Sequence, residues 1–343
     1  MKKLLNTLYV LTPESYLSLD GENVRVTQNG EETGRFPLHI LQQISSFAYA
    51  GASPALMGKC AEMGIQLSFF TPNGRFLAQI QGAPRGNVLL RRRQYRTADD
   101  TEESLSIAKN MVFGKVYNAR WVIERAVRDH PLSVNTQRLR NASEIMKSAV
   151  VKIRACQDTA SLRGIEGEAA STYFSVFDEL ILRNDPAFRF ETRNRRPPLD
   201  RVNALLSFAY RLLENACASA LAGVGLDPYV GMLHTDRAGR ESLALDLMEE
   251  MRAPLADRFV LSGINNRVFQ ENMFDETESG AVLLNDSGRR SFLGSWKTRQ
   301  NEQLTHPFLE ERISWGLVPH VQALLLARYL RGDLDAYPAF LWK

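Results

Sequence analysis

The chain is poor in cysteine. Cys60, Cys156 and Cys217 stand far apart, are odd in number and form no CxxC pair, which argues against a disulfide framework or a cysteine zinc site. A reducing cytoplasm fits such a sequence. Long apolar runs are also missing: none approaches the ~20 residues needed to span a bilayer, so a soluble protein with no membrane partner is expected. The start MKKLLNTLYVLTPES carries two lysines, but Asn6 and Thr7 interrupt its apolar residues and Glu14 follows Pro13, which makes a weak signal peptide. Equally absent are a GxxxxGKS/T loop, HExxH, a GxSxG elbow and a GxGxxG after a strand. P-loop nucleotide hydrolysis, zincin chemistry and the usual hydrolase fold lose support accordingly.

What is present is an ordinary globular composition over 343 residues, 44% hydrophobic and 24% charged, enough for two domains. The net charge of +3 permits a polyanionic partner without requiring one. The sequence predicts an α+β protein: a β-rich amino-terminal domain over 1–90, a linker or helix start over 91–105, and a mainly helical domain over 106–343. Short β-rich runs flank turn signals in the first part: Tyr16 to Leu19, then Asp20-Gly21, then Val24 to Val26. Ile65 to Phe70 and Arg75 to Ile80 flank Pro72-Asn73-Gly74 in the same way, with a short helix from Ser53 to Met63 between the two pairs. Beyond Arg91-Arg92-Arg93 and Arg96, the acids Asp99, Asp100, Glu102 and Glu103 suit a helix amino terminus. A long amphipathic helix begins near Asp200, with Val202, Leu205, Leu206, Ala209, Leu212, Leu213 and Ala216 at helical spacing until Gly223. The tail ending Phe340-Leu341-Trp342-Lys343 reads as a packing segment, an apolar docking segment being the alternative.

Two segments could carry chemistry. In the first, His234 lies at a turn before a largely apolar helix that Pro254 is expected to stop. Asp246 and Glu249 are three apart on that helix, so they share a face and can point at one cation, with His234 closing the site. The plain alternative pairs Asp246 with an arginine such as Arg252 and leaves His234 capping a turn. In the second segment Glu166 stands between Gly164 and Gly167 in a helical pattern. Two glycines there suggest close approach of another backbone or a ligand, the alternative being tight helix packing with Glu166 solvated. Oxygen ligands with one imidazole suit magnesium or manganese.

Three blocks in order, RGIEGEAASTYF at 163–174, NALLSFAYRLLENACASALAGVGLDPYVGMLH at 203–234 and GRESLALDLMEEMR at 239–252, resemble the CRISPR-associated spacer-integrase family. The amino-terminal run MKKLLNTLYVLTPESYLSLDGENVRV is similar to members of its subtype I-C. The resemblance implies a β-rich domain that dimerises and a helical domain that binds Mg2+ or Mn2+ through Glu166, His234 and Glu249, with Asp246 assisting. It implies a metal-dependent DNA endonuclease and integrase, in which the 3′ hydroxyl of a captured duplex attacks a phosphodiester at the CRISPR repeat, and water in its place gives hydrolysis. It also implies a homodimer working with a small ferredoxin-like adaptation partner that bridges two dimers. A non-catalytic DNA scaffold and a stand-alone nuclease for branched DNA are the alternatives. Arg85, Arg91, Arg92 and Arg93 with Arg96, the Arg193, Arg195 and Arg196 loop, and Arg289 with Arg290 are candidate phosphate contacts. His39, His130, His306 and His320 lack acidic neighbours at ligand spacing and read as structural or surface groups, and Tyr173 and Tyr210 as core.

Overall fold

The structure, a computed structural model, describes residues 7–71, 76–80 and 88–343. The expected Pro72-Asn73-Gly74 turn and Arg85 lie outside the described residues. The chain forms two compact units, one comprising Met1–Arg85 with Leu284–Asn301, the other Gly86–Leu283 with Glu302–Lys343.

The first unit opens with β1 (Thr7–Val10), β2 (Ser15–Asp20), β3 (Asn23–Gln28), β4 (Glu31–Pro37) and β5 (Gln43–Ser46), followed by α1 (Pro54–Met63), β6 (Gln66–Phe70) and β7 (Phe76–Ile80). Strands β2, β3 and β4 form an antiparallel meander. The Asp20↔Asn23 pair leaves Gly21 and Glu22 as a two-residue turn, and Gly21 takes the positive φ of +58° that such turns demand. The other sheet has the order β1-β5-β6-β7, parallel except for the final antiparallel pair. Alternation puts Leu17, Val24 and Val26 on one face, where they meet Leu38, Ile44, Leu56 and Leu67 in a shared core.

In the second unit the chain runs through α2 (Val88–Asp99), α3 (Thr101–Asp129), α4 (Thr136–Ala155), α5 (Thr159–Ser175), α6 (Arg201–Gly223), α7 (Ser242–Met251) and α8 (Arg258–Asn265). Short strands β8 (Phe274–Glu276) and β9 (Val282–Leu284) precede α9 (Asp286–Asn301), a helix that belongs to the first unit. An antiparallel ribbon of β10 (Gln303–Thr305) and β11 (Arg312–Ser314) leads into α10 (Val318–Leu330). The acidic run does start a helix: Asp100 accepts from the backbone N–H groups of Glu102 and Glu103, both at 2.9 Å. With 29 residues, α3 is about 44 Å long at 1.5 Å per residue, and it packs against α4, α5 and α7. Where α7 crosses it, Gly114 permits close approach, since a Cβ there would lie 3.1 Å from Glu250 Cγ. The long amphipathic helix is α6, capped by Asp200, with Val202, Leu205, Leu206, Ala209, Leu212 and Leu213 buried.

Two expectations need correction. Pro254 does not end the helical path, because α7 passes through a π-helical turn, Arg252–Asp257, into α8. Shifting the hydrogen-bond ladder by one residue absorbs the N–H that proline lacks. The carboxy-terminal tail is held by more than apolar packing. Tyr337 and Phe340 are buried, but the Glu250 carboxylate also accepts from Tyr337 Oη at 2.7 Å, Gln322 Nε2 at 3.0 Å and the Phe340 N–H at 2.6 Å. Asn118 on α3 donates to the carbonyls of Glu250 and Phe340 and accepts from the Trp342 N–H. Arg125 and Arg258 each lie about 4.5 Å from the Trp342 ring, at 4.4 and 4.5 Å.

Candidate active site

Four segments of the second unit converge: α3, α5, the loop between α6 and α7, and α7. The loop is shaped by Gly231. A Cβ at this position would sit 2.7 Å from the His234 carbonyl oxygen, 2.7 Å from Ser242 Cβ and 3.0 Å from Asp246 Oδ2, so no larger residue fits without moving the loop. Asp246, fully buried on α7, accepts the backbone N–H groups of Met232, Leu233 and His234 at 2.6, 2.9 and 3.0 Å. Its Oδ1 also lies 2.6 Å from His234 Nδ1. Because that carboxylate is the acceptor for three amides, the imidazole donates from Nδ1, and in the neutral ring the lone pair is left on Nε2. This is the arrangement in which a carboxylate orients a histidine for a cation.

Glu249, one turn further along α7, meets different partners. Its Oε1 accepts from Arg252 Nη1 at 2.8 Å, and its Oε2 lies 2.7 Å from the Lys115 ammonium. Burial works against ionisation of this side chain, yet Arg252 and Lys115 outweigh it and hold the carboxyl down at about 2. The charge of a protonated His234 acts in the same direction, which puts the imidazole within electrostatic reach of Glu249. Lys115 is the one cation in contact with Oε2, which has no further hydrogen-bond partner among the described residues. Lys115, from α3, also bonds Glu166 Oε1 on α5. One ammonium thus serves both glutamates.

Surrounding groups fix these elements. Arg163, one turn before Glu166, donates to the Leu233 carbonyl and ties α5 to the His234 loop. The Arg252 guanidinium lies 4.3 Å from the Tyr210 ring centroid, and the Tyr210 hydroxyl donates to Asp257. Burial pushes the Asp257 carboxyl up to about 6 against the opposing pull of Tyr210 and Arg252.

The sequence proposed a shared cation for Asp246 and Glu249, or a pair between Asp246 and Arg252. In the structure Arg252 pairs with Glu249, and Asp246 is occupied by the loop amides and His234. The glycines flanking Glu166 have a different meaning from the one expected, since a Cβ at Gly164 or Gly167 would meet nothing within 4 Å. Lys115 was missed. Its only signal is position: a lysine four residues from both Met111 and Ala119, on the buried stripe of α3 beside Gly114. Arg163 was likewise passed over, although it stands in the same block as Glu166.

Among the described residues no group of three or more His, Cys, Asp or Glu side chains is arranged to hold a metal ion. The donor chemistry nevertheless fits a hard divalent cation. Glu166 and Glu249 already share a cationic partner in Lys115, Glu249 Oε2 has no other partner among the described residues, and His234 Nε2 is free of the Asp246 contact.

The basic clusters differ in availability. Arg92, Arg93 and Arg96 are exposed on α2, where Arg93 pairs with Glu103, and Arg91 is half-buried. Arg195 and Arg196 are exposed, whereas Arg193 is half-buried and bonded to Asn203 and Ser207. Arg290 is exposed, but Arg289 is buried and engaged by Asp286 and the Leu284 carbonyl. His306 is buried against Gln322, and Tyr173 and Tyr210 are core residues, as the sequence suggested.

The family model described as "CRISPR associated protein Cas1" matches residues 8–298. The chain belongs to the Cas1 family. A CRISPR-associated endonuclease Cas1 of Chlorobaculum tepidum is 49% identical over 343 residues, covering all of both chains. At 22% identity, a casposase solved bound to its integration product superposes with a TM-score of 0.85 over 99% of this chain and 95% of that one. A Cas6-RT-Cas1–Cas2 complex gives a TM-score of 0.81 over all of this chain and 36% of the matched one, also at 22% identity. At such identities the two structures establish a shared Cas1-like fold. No described helix of this Cas1-family chain is long and apolar enough to cross a membrane.

Proposed function

We propose that this chain is the integrase of CRISPR adaptation, joining the 3′-hydroxyl ends of captured duplex DNA to the repeat array by transesterification and hydrolysing DNA when water replaces that hydroxyl. The observation that carries the proposal is the pairing of Glu166 and Glu249 about one cation, beside a histidine whose Nε2 is freed by Asp246. Membership in a family whose 49%-identical relative is named an endonuclease supports it. So does the integration product held by the structurally similar casposase.

Glu166, Glu249 and His234 Nε2 would hold Mg2+ or Mn2+, which when bound neutralises charge on the non-bridging oxygens of the attacked phosphodiester. The remaining work falls to the chain itself. Asp246 fixes the tautomer and direction of His234. Arg252, braced on Tyr210, fixes the reach of Glu249. Arg163 keeps α5 and the His234 loop in register. The exposed Arg92, Arg96, Arg195 and Arg196 would grip phosphates and position DNA without reading its sequence. The Cas1–Cas2 assembly among the structural neighbours supports a Cas partner. The small bridging partner, the homodimer formed through the β-rich unit and the cytoplasmic setting belong to the proposal through the family resemblance.

The closed ion-pair network around Lys115 also suits a DNA-binding scaffold whose acids merely stabilise the fold. The two readings part in a strand-joining assay with a repeat-bearing plasmid, a short duplex with 3′-hydroxyl ends, the small partner and Mn2+. Glu166→Ala should abolish joining and cleavage while DNA binding persists. Unchanged chemistry in that variant would remove Glu166 from the mechanism and favour the scaffold.

A further inference from the structure

The Lys115 ammonium stands where a cation touches both candidate acidic ligands at once. We propose that Lys115 is the site's resident counter-ion and that a divalent cation loads by displacing its ammonium from between Glu166 and Glu249. This rests on the metal reading above and deepens it.

Charge and anchoring both point to Lys115 as the group that leaves. Two carboxylates, Glu166 and Glu249, are balanced by two cations, Lys115 and Arg252, so the network is neutral without metal. The two cations are not equivalent. Arg252 is clamped between Glu249 Oε1 and the face of Tyr210. Lys115 presents a point charge on a flexible four-carbon stem, shared between two carboxylates and, among the described residues, not stacked on any ring. An ammonium cannot stay between two carboxylates that a divalent ion is binding, because like charges at that range repel strongly. The glutamates are also unequally accessible: Glu166 has 24% of its side chain exposed against 6% for Glu249, so an arriving ion meets Glu166 first. The stem of Lys115 then swings its charge to the outer side of the site, where a DNA phosphate oxygen can accept it. Metal loading and phosphate binding are thereby coupled through one side chain.

The test is Mn2+ binding to the full chain, read from the electron paramagnetic resonance signal of the free ion, for wild type, Lys115→Met, Lys115→Arg, Glu166→Gln and His234→Ala. Removing the competing charge should tighten Mn2+ binding by about tenfold in Lys115→Met, while Lys115→Arg, which keeps the charge, should bind no tighter than wild type. Glu166→Gln and His234→Ala should weaken binding. A second measurement needs no variant at Lys115: amine labelling of the wild-type chain, read by mass spectrometry, should modify Lys115 more extensively at saturating Mn2+. Weakened binding in Glu166→Gln together with no tightening in Lys115→Met and no metal-dependent labelling of Lys115 would overturn the displacement and leave the metal site standing. Equal Mn2+ binding by wild type, Glu166→Gln and His234→Ala would withdraw the metal reading, and the displacement with it.

Discussion

Two acids three residues apart on α7 are neutralised by opposite means. Asp246 is held by three backbone amides and the imidazole it orients, whereas Glu249 is held by the side chains of Arg252 and Lys115. Backbone amides cannot leave without unfolding the loop. Side-chain cations can. The first acid is therefore part of the frame, and the second is open to exchange of partners, so a single helix carries both a fixed support and a carboxylate held only by side chains.

This contrast predicts a ranking of effects. Asp246→Ala should cost the most, about 3–5 kcal/mol of unfolding free energy in a denaturant titration, because it leaves several buried N–H donors without an acceptor. Asp257 offers a third kind of support, a buried acid held by the Tyr210 hydroxyl, and it sharpens the comparison through pH. Its carboxyl is raised from 3.8 to about 6, mainly by burial, so the folded state prefers the protonated form. The associated stability is present below pH 4 and is lost as the pH rises to about 6. Asp257→Asn should remove about 3 kcal/mol of that decline, seen as a flatter unfolding free energy between pH 4 and 6. At neutral pH Glu249→Ala should cost less, about 2 kcal/mol, the size of one lost hydrogen bond between charged groups, since Lys115 keeps Glu166 and Arg252 keeps the face of Tyr210. It should nevertheless abolish strand joining. If Glu249→Ala destabilises the fold more than Asp246→Ala, the division between frame and ligand is wrong. Smallest of all, Gly164→Ala should raise stability by about 0.5–1 kcal/mol in the same titration, because the helix gains propensity and the new methyl meets open space.

Periodicity made much of the fold legible. The alternation of Leu17, Leu19, Val24 and Val26 about a glycine turn encodes the β2–β3 hairpin, and the apolar spacing after Asp200 encodes α6. Pro254 misled because a π-helical turn can carry a proline that an α-helix resists, and nothing local in the sequence announces that shift. The placement of α9 with the first unit was hidden for a related reason: it depends on chain segments more than 200 residues apart, a separation that periodicity does not report. In the site, His234 and the acids of α7 drew notice because polar groups in apolar surroundings need partners. Glu166 drew notice through glycines that prove to face open space, so the family blocks carried that assignment rather than packing. Lys115 escaped because a lone lysine in an amphipathic helix is ordinary, and its meaning emerges only when α5 and α7 bring two carboxylates to its ammonium.

The most direct test of the central claim is anomalous diffraction from a crystal of the full chain grown with Mn2+. A manganese peak bound by Glu166, Glu249 and His234 Nε2, with Asp246 still on the loop amides, is the result expected. A peak elsewhere, or none while Lys115 still bridges the two glutamates at saturating Mn2+, would contradict it.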